Sequence, residues 1–142
     1  MTAPLLAIAA FSLLGSSGQD AGSFPGVKVE IIRADSRTST LTVAITNSGD
    51  RTVCAERGRG ARAFDVSRMG QPMRMSDGIP HVSIRDRCNP IEPGATSVSD
   101  YELAIAWPDL RRDDRVCFEA WIRFRDEPDS PNTTVVDCRL LD

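Results

Sequence analysis

The sequence predicts an all-β protein, an antiparallel β-sandwich of about seven strands held by two disulfides. Three observations carry that expectation. Beyond residue 26, short stretches alternate apolar and polar side chains with period two, and no segment longer than a turn or two keeps a helical period. Clusters of Gly, Pro, Asn and Asp break the alternation at sandwich-like intervals. Four cysteines, Cys54, Cys88, Cys117 and Cys138, follow a start that reads as an export signal.

Residues 4–14 (PLLAIAAFSLL) form an uncharged, apolar run of eleven residues, too short to span a bilayer and of the length of a signal-peptide core. Gly15, Ser16, Ser17 and Gly18 follow, and cleavage after Ser17 or after Gly18 puts small residues at both recognition positions. The only positive charge ahead of the run is the terminal amine of Met1. Residues 1–18 are therefore read as a signal peptide and residues 19–142 as one domain, with a periplasmic or secreted destination. No later stretch is long and apolar enough to suggest a membrane span.

The strands follow in order. Val27, Val29 and Ile31 alternate with Lys28 and Glu30. A short polar connection, residues 34–39, suits a hairpin to the second strand, where Leu41, Val43 and Ile45 share a face. Phe64 and Val66 mark a third strand that turns at Met69-Gly70-Gln71-Pro72, and residues 81–84 mark a weaker fourth. Pro93-Gly94 precedes a fifth, with Tyr101, Leu103 and Ile105 on one side. The sixth is the clearest, with Val116, Phe118, Ala120, Ile122 and Phe124 against Cys117, Glu119, Trp121, Arg123 and Arg125. Residues 126–132, with two prolines, turn the chain into a last strand over residues 133–140. Seven such strands suggest an immunoglobulin-like sandwich. Burying each inward residue such as Leu41 or Phe118 contributes roughly 1.5–3 kcal/mol.

Topology then constrains the cysteines. With strands alternating up and down, Cys54 lies in the connection after the second strand and Cys88 in the connection before the fifth, at one end of the sandwich. Cys117 opens the sixth strand and Cys138 closes the seventh at the other end. Of three connectivities, Cys54–Cys88 with Cys117–Cys138 is favoured. Bridging Cys117 straight across to Cys138 puts Val136 and Leu140 on the face of Glu119 and Trp121. Either that face is partly covered, or a bulge shifts register between the last two strands.

Composition narrows the chemistry. The net charge of -3 does not suggest a nucleic-acid binder. Sixteen arginines against the single Lys28 fit a GC-rich, often bacterial, genome. A Ser-His-Asp triad would have to use His81, the only histidine, and no Gly-x-Ser-x-Gly elbow exists. One histidine excludes a multi-histidine zinc site, and an even cysteine count leaves no thiol nucleophile. The expectation is a protein without catalysis and without a cofactor.

Three features remain as candidates for function. Arg57-Gly58-Arg59-Gly60-Ala61-Arg62 is a basic loop tethered at its base by Cys54, with Arg57, Arg59 and Arg62 available to an acidic partner and Arg59 at its tip. Trp121, on an outward face beside Arg123 and Arg125, suits an interface anchor, or stacks under those arginines, or covers the Cys117 bridge. Met69, Met73 and Met75 fall within seven residues, and His81 follows. Thioether and imidazole suit Cu(I), whereas the flanking Arg68 and Arg74 oppose a cation site. In the plainer reading, Met73 and Met75 face the core.

Residues 41–105 resemble the intracellular proteinase-inhibitor type of immunoglobulin-like domain found in bacteria. The matching pieces are Ile45-Thr46-Asn47-Ser48-Gly49-Asp50, Phe64-Asp65-Val66, Gly70, and Ile91-Glu92-Pro93-Gly94 ahead of the strand that carries Tyr101. These are turn and core positions, so the resemblance implies the sandwich and little about activity. The export signal and the cysteine pairs depart from a cytosolic family. The expectation is an exported sandwich that binds another protein or an envelope component through residues 55–62 and 126–132, at one end of the sandwich, with an inhibitor- or immunity-like role inside that class. The alternatives are a periplasmic Cu(I) carrier using Met69, Met73, Met75 and His81, and a structural envelope subunit.

Overall fold

The computed structural model describes residues 22–57, 63–76 and 88–142; residues 1–18, expected to be a signal peptide, residues 81–84 with His81, Arg59 and Arg62 lie outside the described residues. Among the described residues there are nine strands, two more than expected, and no α-helix. They are β1 (Val27–Asp35), β2 (Thr40–Asn47), β3 (Val53–Arg57), β4 (Phe64–Arg68), β5 (Gln71–Pro72), β6 (Pro90–Ile91), β7 (Thr96–Glu102), β8 (Arg115–Phe124) and β9 (Thr133–Leu140). All pair antiparallel.

The smaller sheet has the order β1-β2-β7. In the larger sheet β9 covers one edge of β8, while β3 and β4 share the other edge, with β6 beyond β3 and β5 beyond β4. First strand beside second, second beside the later β7, and β8 between β9 and β3/β4 is the strand order of an immunoglobulin-like sandwich. The inner faces meet in one core built from Val29, Ile31, Leu41, Val43 and Ile45 on one side and Val53, Phe64, Val116, Phe118 and Ile122 on the other. Tyr101 crosses between the layers, edge-on to Phe64 at 5.0 Å and tilted against Phe118 at 5.8 Å.

The edge shared by β3 and β4 positions the outer face described below. Arg57 pairs with Ala120, and Phe64 pairs with Phe118. Both strands run in the same direction, so they read as one strand interrupted opposite Glu119. Cys54 therefore lies inside a strand, not in a connection as expected. Residues 55–57 sit beside the middle of β8, whereas residues 126–132 follow its end. For residues 55–57 the expectation of a shared end is corrected on this register; residues 58–62 lie outside the described residues.

Two other expectations change. The strand expected to carry Tyr101, Leu103 and Ile105 on one face ends at Glu102. Ala106 and Trp107 both donate to the Leu103 carbonyl, a turn that buries Leu103 and leaves Ile105 exposed. In β1 the register slips between Ile31 and Arg33, so the buried phase passes from Val29 and Ile31 to Ala34 and leaves Ile32 outside. Asn47 fixes the turn after β2: its amide donates to the carbonyls of Arg51 (2.8 Å) and Ile91 (2.9 Å), and its oxygen accepts from Gly49 (3.0 Å). A side chain buried with every polar group in use accounts for this asparagine inside an otherwise apolar layer.

Candidate functional site on the outer face of the larger sheet

Strict alternation along β8 sends Val116, Phe118, Ala120 and Ile122 into the core and leaves Cys117, Glu119, Trp121 and Arg123 outside. Antiparallel partners share a face, so the register assembles the rest. Cys138, Val136 and Thr134 of β9 lie opposite Cys117, Glu119 and Trp121. Glu56 and Cys54 of β3 lie opposite Trp121 and Arg123.

Both disulfides belong to this face. Cys117–Cys138 ties two directly paired residues, and Cys54–Cys88 ties β3 to the residue two before β6. The expected connectivity is observed, and no free cysteine remains. The β8–β9 ladder runs without a register shift, so a bulge is not the answer to the Val136 question; Trp121 is partly covered instead. The bridges bracket a stretch of β8 from Cys117 to Arg123, on the order of 20 Å at 3.3–3.4 Å per residue, with Trp121 inside it.

Trp121 is held by the residue two positions before it on the same strand. Its indole Nε1–H donates to Glu119 Oε1 at 2.7 Å, which draws the ring along the strand toward Cys117. Glu56, directly across from Trp121, is only 4% exposed, and its Oε1 is buried without a hydrogen-bond partner. A buried acceptor left unmade costs about 1–3 kcal/mol, more when charged. This is the only such side-chain atom among the described residues. Two carboxylates thus flank one indole.

A second concavity lies where β8 turns toward β9. An open groove of about 450 Å³ is lined by Arg51, Thr52, Arg125 and Asp126. Its charges are largely compensated from within. The Arg51 guanidinium lies over the Phe124 ring, 3.8 Å from the centroid, and pairs with Asp126 and with Glu127 at 3.5 Å. The hydrogen bond to Asp126 is the main cause of a raised Arg51 pKa. Thr52 gives its hydroxyl to Glu92 at 2.7 Å. These contacts fasten the turn to the sandwich.

The other sequence candidates separate. Arg57 ends β3 beside Trp121's strand, and the basic stretch that continues from it lies outside the described residues. Met69 is 95% exposed at the β4–β5 turn, whereas Met73 and Met75 pack against the core. The structure therefore brings two of the three methionines to the core and leaves Met69 in solvent. Trp107, buried, donates its Nε1–H to the Met73 carbonyl at 3.1 Å. Sequence reasoning missed Glu56 and Glu119. Period two already put Glu119 beside Trp121, but Glu56 sits in the strand read as a loop. Among the described residues no group of three or more His, Cys, Asp or Glu is arranged around a common point, and no helix is long and apolar enough to cross a membrane.

Compared with protein-family models, with curated proteins and with solved structures, the chain finds no match.

Proposed function

We propose that this chain is exported and binds another protein or an envelope component through the outer face of the larger sheet, without catalysing a reaction. One observation carries the reading: Trp121 sits partly exposed between two carboxylates, on a stretch of β8 bracketed by two covalent ties that hold the face rigid. A fixed aromatic with a polar handle, on a surface whose side chains are pre-ordered, is the composition of a binding hot spot. Arg57, which ends β3 one residue after Glu56, adds to it, and Arg59 and Arg62 follow it closely in the sequence. Two disulfides support export, since they persist in the periplasm or the medium and not in a reducing cytosol. An inhibitor- or immunity-like role falls within this reading.

The test is site-specific photocrosslinking in cells that make the protein. A crosslinking residue at position 121 is expected to capture one discrete protein of the cell envelope. The same residue at Val98, exposed on the outer face of the opposite sheet, is expected to leave it uncaptured. Arg59→Glu is expected to weaken capture from position 121. The same species captured from both faces, or none from position 121, overturns the reading; a second copy of this chain as the captured species points to a structural subunit instead.

A further inference from the structure

The buried, unpartnered oxygen of Glu56 names the chemistry of the partner. We infer that the Trp121 face receives a guanidinium group, an arginine side chain of the bound protein, between Glu56 and Glu119 and against the indole. The inference rests on the binding role proposed above and deepens it.

Several facts converge on a cation. Glu56 and Trp121 are directly opposed across the β3–β8 ladder, which places their Cβ atoms about 4.5–5.5 Å apart. Glu119 lies diagonally from Glu56 on the same face, at a spacing of about 7–8 Å that long side chains span. Glu119 is already turned toward the indole, and its bond to Nε1 uses one oxygen and leaves acceptor capacity on the other. An indole face attracts a cation through its quadrupole. The Glu56 Oε1 atom, buried and unpaired, lacks one donor.

The described part of the chain does not supply that donor. Arg123, the neighbouring basic residue on the same face of β8, leaves Glu56 Oε1 without a partner. A guanidinium suits the gap better than an ammonium. It is planar, stacks on aromatic rings, and its five N–H groups fork toward two carboxylates at once. Pairing a carboxylate that the fold has already desolvated removes a standing cost, so the gain falls on the complex and not on the free protein.

The two tryptophans provide the test, because each gives one indole N–H resonance and Trp107 is buried away from this face. The oxidised, 15N-labelled protein is titrated with N-acetylarginine methylamide and, separately, with the uncharged citrulline analogue. The Trp121 resonance is expected to move saturably with the arginine probe and not with citrulline, while Trp107 stays still. Glu56→Gln and Glu119→Gln are each expected to weaken binding at least about tenfold, with an unmoved Trp107 resonance certifying the fold. No saturable shift, an equal shift with citrulline, or undiminished binding in a folded Glu56→Gln protein overturns the inference. A Trp121 shift produced by Arg59→Ala or Arg62→Ala without probe also overturns it, since the chain's own guanidinium would then fill the place. If crosslinking from position 121 succeeds while the arginine probe fails, only the cation assignment falls and the binding role stands.

Discussion

The carboxylate of Asp137, on β9, accepts the backbone amide of Ile31, on β1, at 2.7 Å across the gap between the two sheets. Two residues along the same strand, Arg139 donates to the Ile31 carbonyl at 3.1 Å. Two side chains thus do what a neighbouring strand would do for Ile31, at the point where the β1 register slips. Because β1 is an edge strand, its outward backbone groups otherwise depend on water or invite another chain. Asp137→Ala is expected to lower stability by about 1–3 kcal/mol, the cost of a partly buried amide left without an acceptor. Asp137→Asn keeps an acceptor and should lose less. Urea denaturation of the three proteins checks the order, and an alanine variant as stable as the parent would contradict it.

Arg68 and Asp114 form the best-buried ion pair among the described residues, with guanidinium-to-carboxylate distances of 2.8 and 2.9 Å. The hydrogen bond from Arg68 is the main cause holding the Asp114 pKa below its ordinary value; burial opposes it, and the Arg111 amide adds to it. A carboxylate whose folded pKa is depressed stabilises the fold above its unfolded pKa, about 4, and loses that contribution as pH falls through the folded value. Stability should therefore drop below about pH 4. Asp35, held low chiefly by the Arg37 amide, titrates in the same direction but is exposed. Asp114→Asn is expected to flatten the acid limb of the urea midpoint against pH, and Arg68→Met to cost about 3 kcal/mol at neutral pH by stranding a buried charge. An acid limb unchanged in Asp114→Asn would assign it to other carboxylates.

What the sequence revealed and what it hid follow from the range of each interaction. β8 was legible because its side chains alternate without exception, so a local pattern was enough. The disulfide pairing was legible because only the up-and-down order of strands was needed. β3 was not. Its inward residues are Val53 and Ala55, and the run passes at once into Arg57-Gly58-Arg59-Gly60, which reads as a loop. Only pairing with β8 makes it a strand, and that pairing spans more than sixty residues of chain. The bulge in β1 was hidden for a similar reason: Ile31 and Ile32 are alike in hydrophobicity, and the choice of which turns inward is made by β2 and β9. Glu56 beside Trp121 is the same kind of fact, a cross-strand neighbour that no local spacing announces.

The two disulfides should differ in worth. By loop entropy alone they differ little: sequence separations of 34 and 21 residues favour Cys54–Cys88 by about 0.4 kcal/mol. Structure separates them further. Cys117–Cys138 joins strands already held by eight register pairs, whereas Cys54–Cys88 secures the stretch leading to β6, which has two pairs with β3. Replacing Cys54 and Cys88 by alanine is expected to cost about 3–4 kcal/mol, and replacing Cys117 and Cys138 about 2 kcal/mol. Equal losses in urea denaturation, or a larger loss for the second pair, would show that the ladders do not share the work in this way.

Met69 offers a test that also bears on copper. It occupies, with Gly70, the centre of the β4–β5 turn, and both residues have positive φ, 50° and 78°. Positive φ at both central positions is the mirror-image turn that matches strand twist, and it favours Asn-Gly. A methionine held there costs about 1–2 kcal/mol in left-handed backbone, and its side chain buries almost nothing in return. Met69→Asn is therefore expected to raise stability by about 0.5–1 kcal/mol. The same change removes one thioether from the set Met69, Met73, Met75 and His81. On the binding role proposed here, Cu(I) affinity measured against a competing chelator should be unaffected by Met69→Asn, by Met73→Leu or by Met75→Leu. A stabilised Met69→Asn protein whose Cu(I) affinity falls, with matching falls for the other two, would instead make the exposed turn a ligand and restore the carrier.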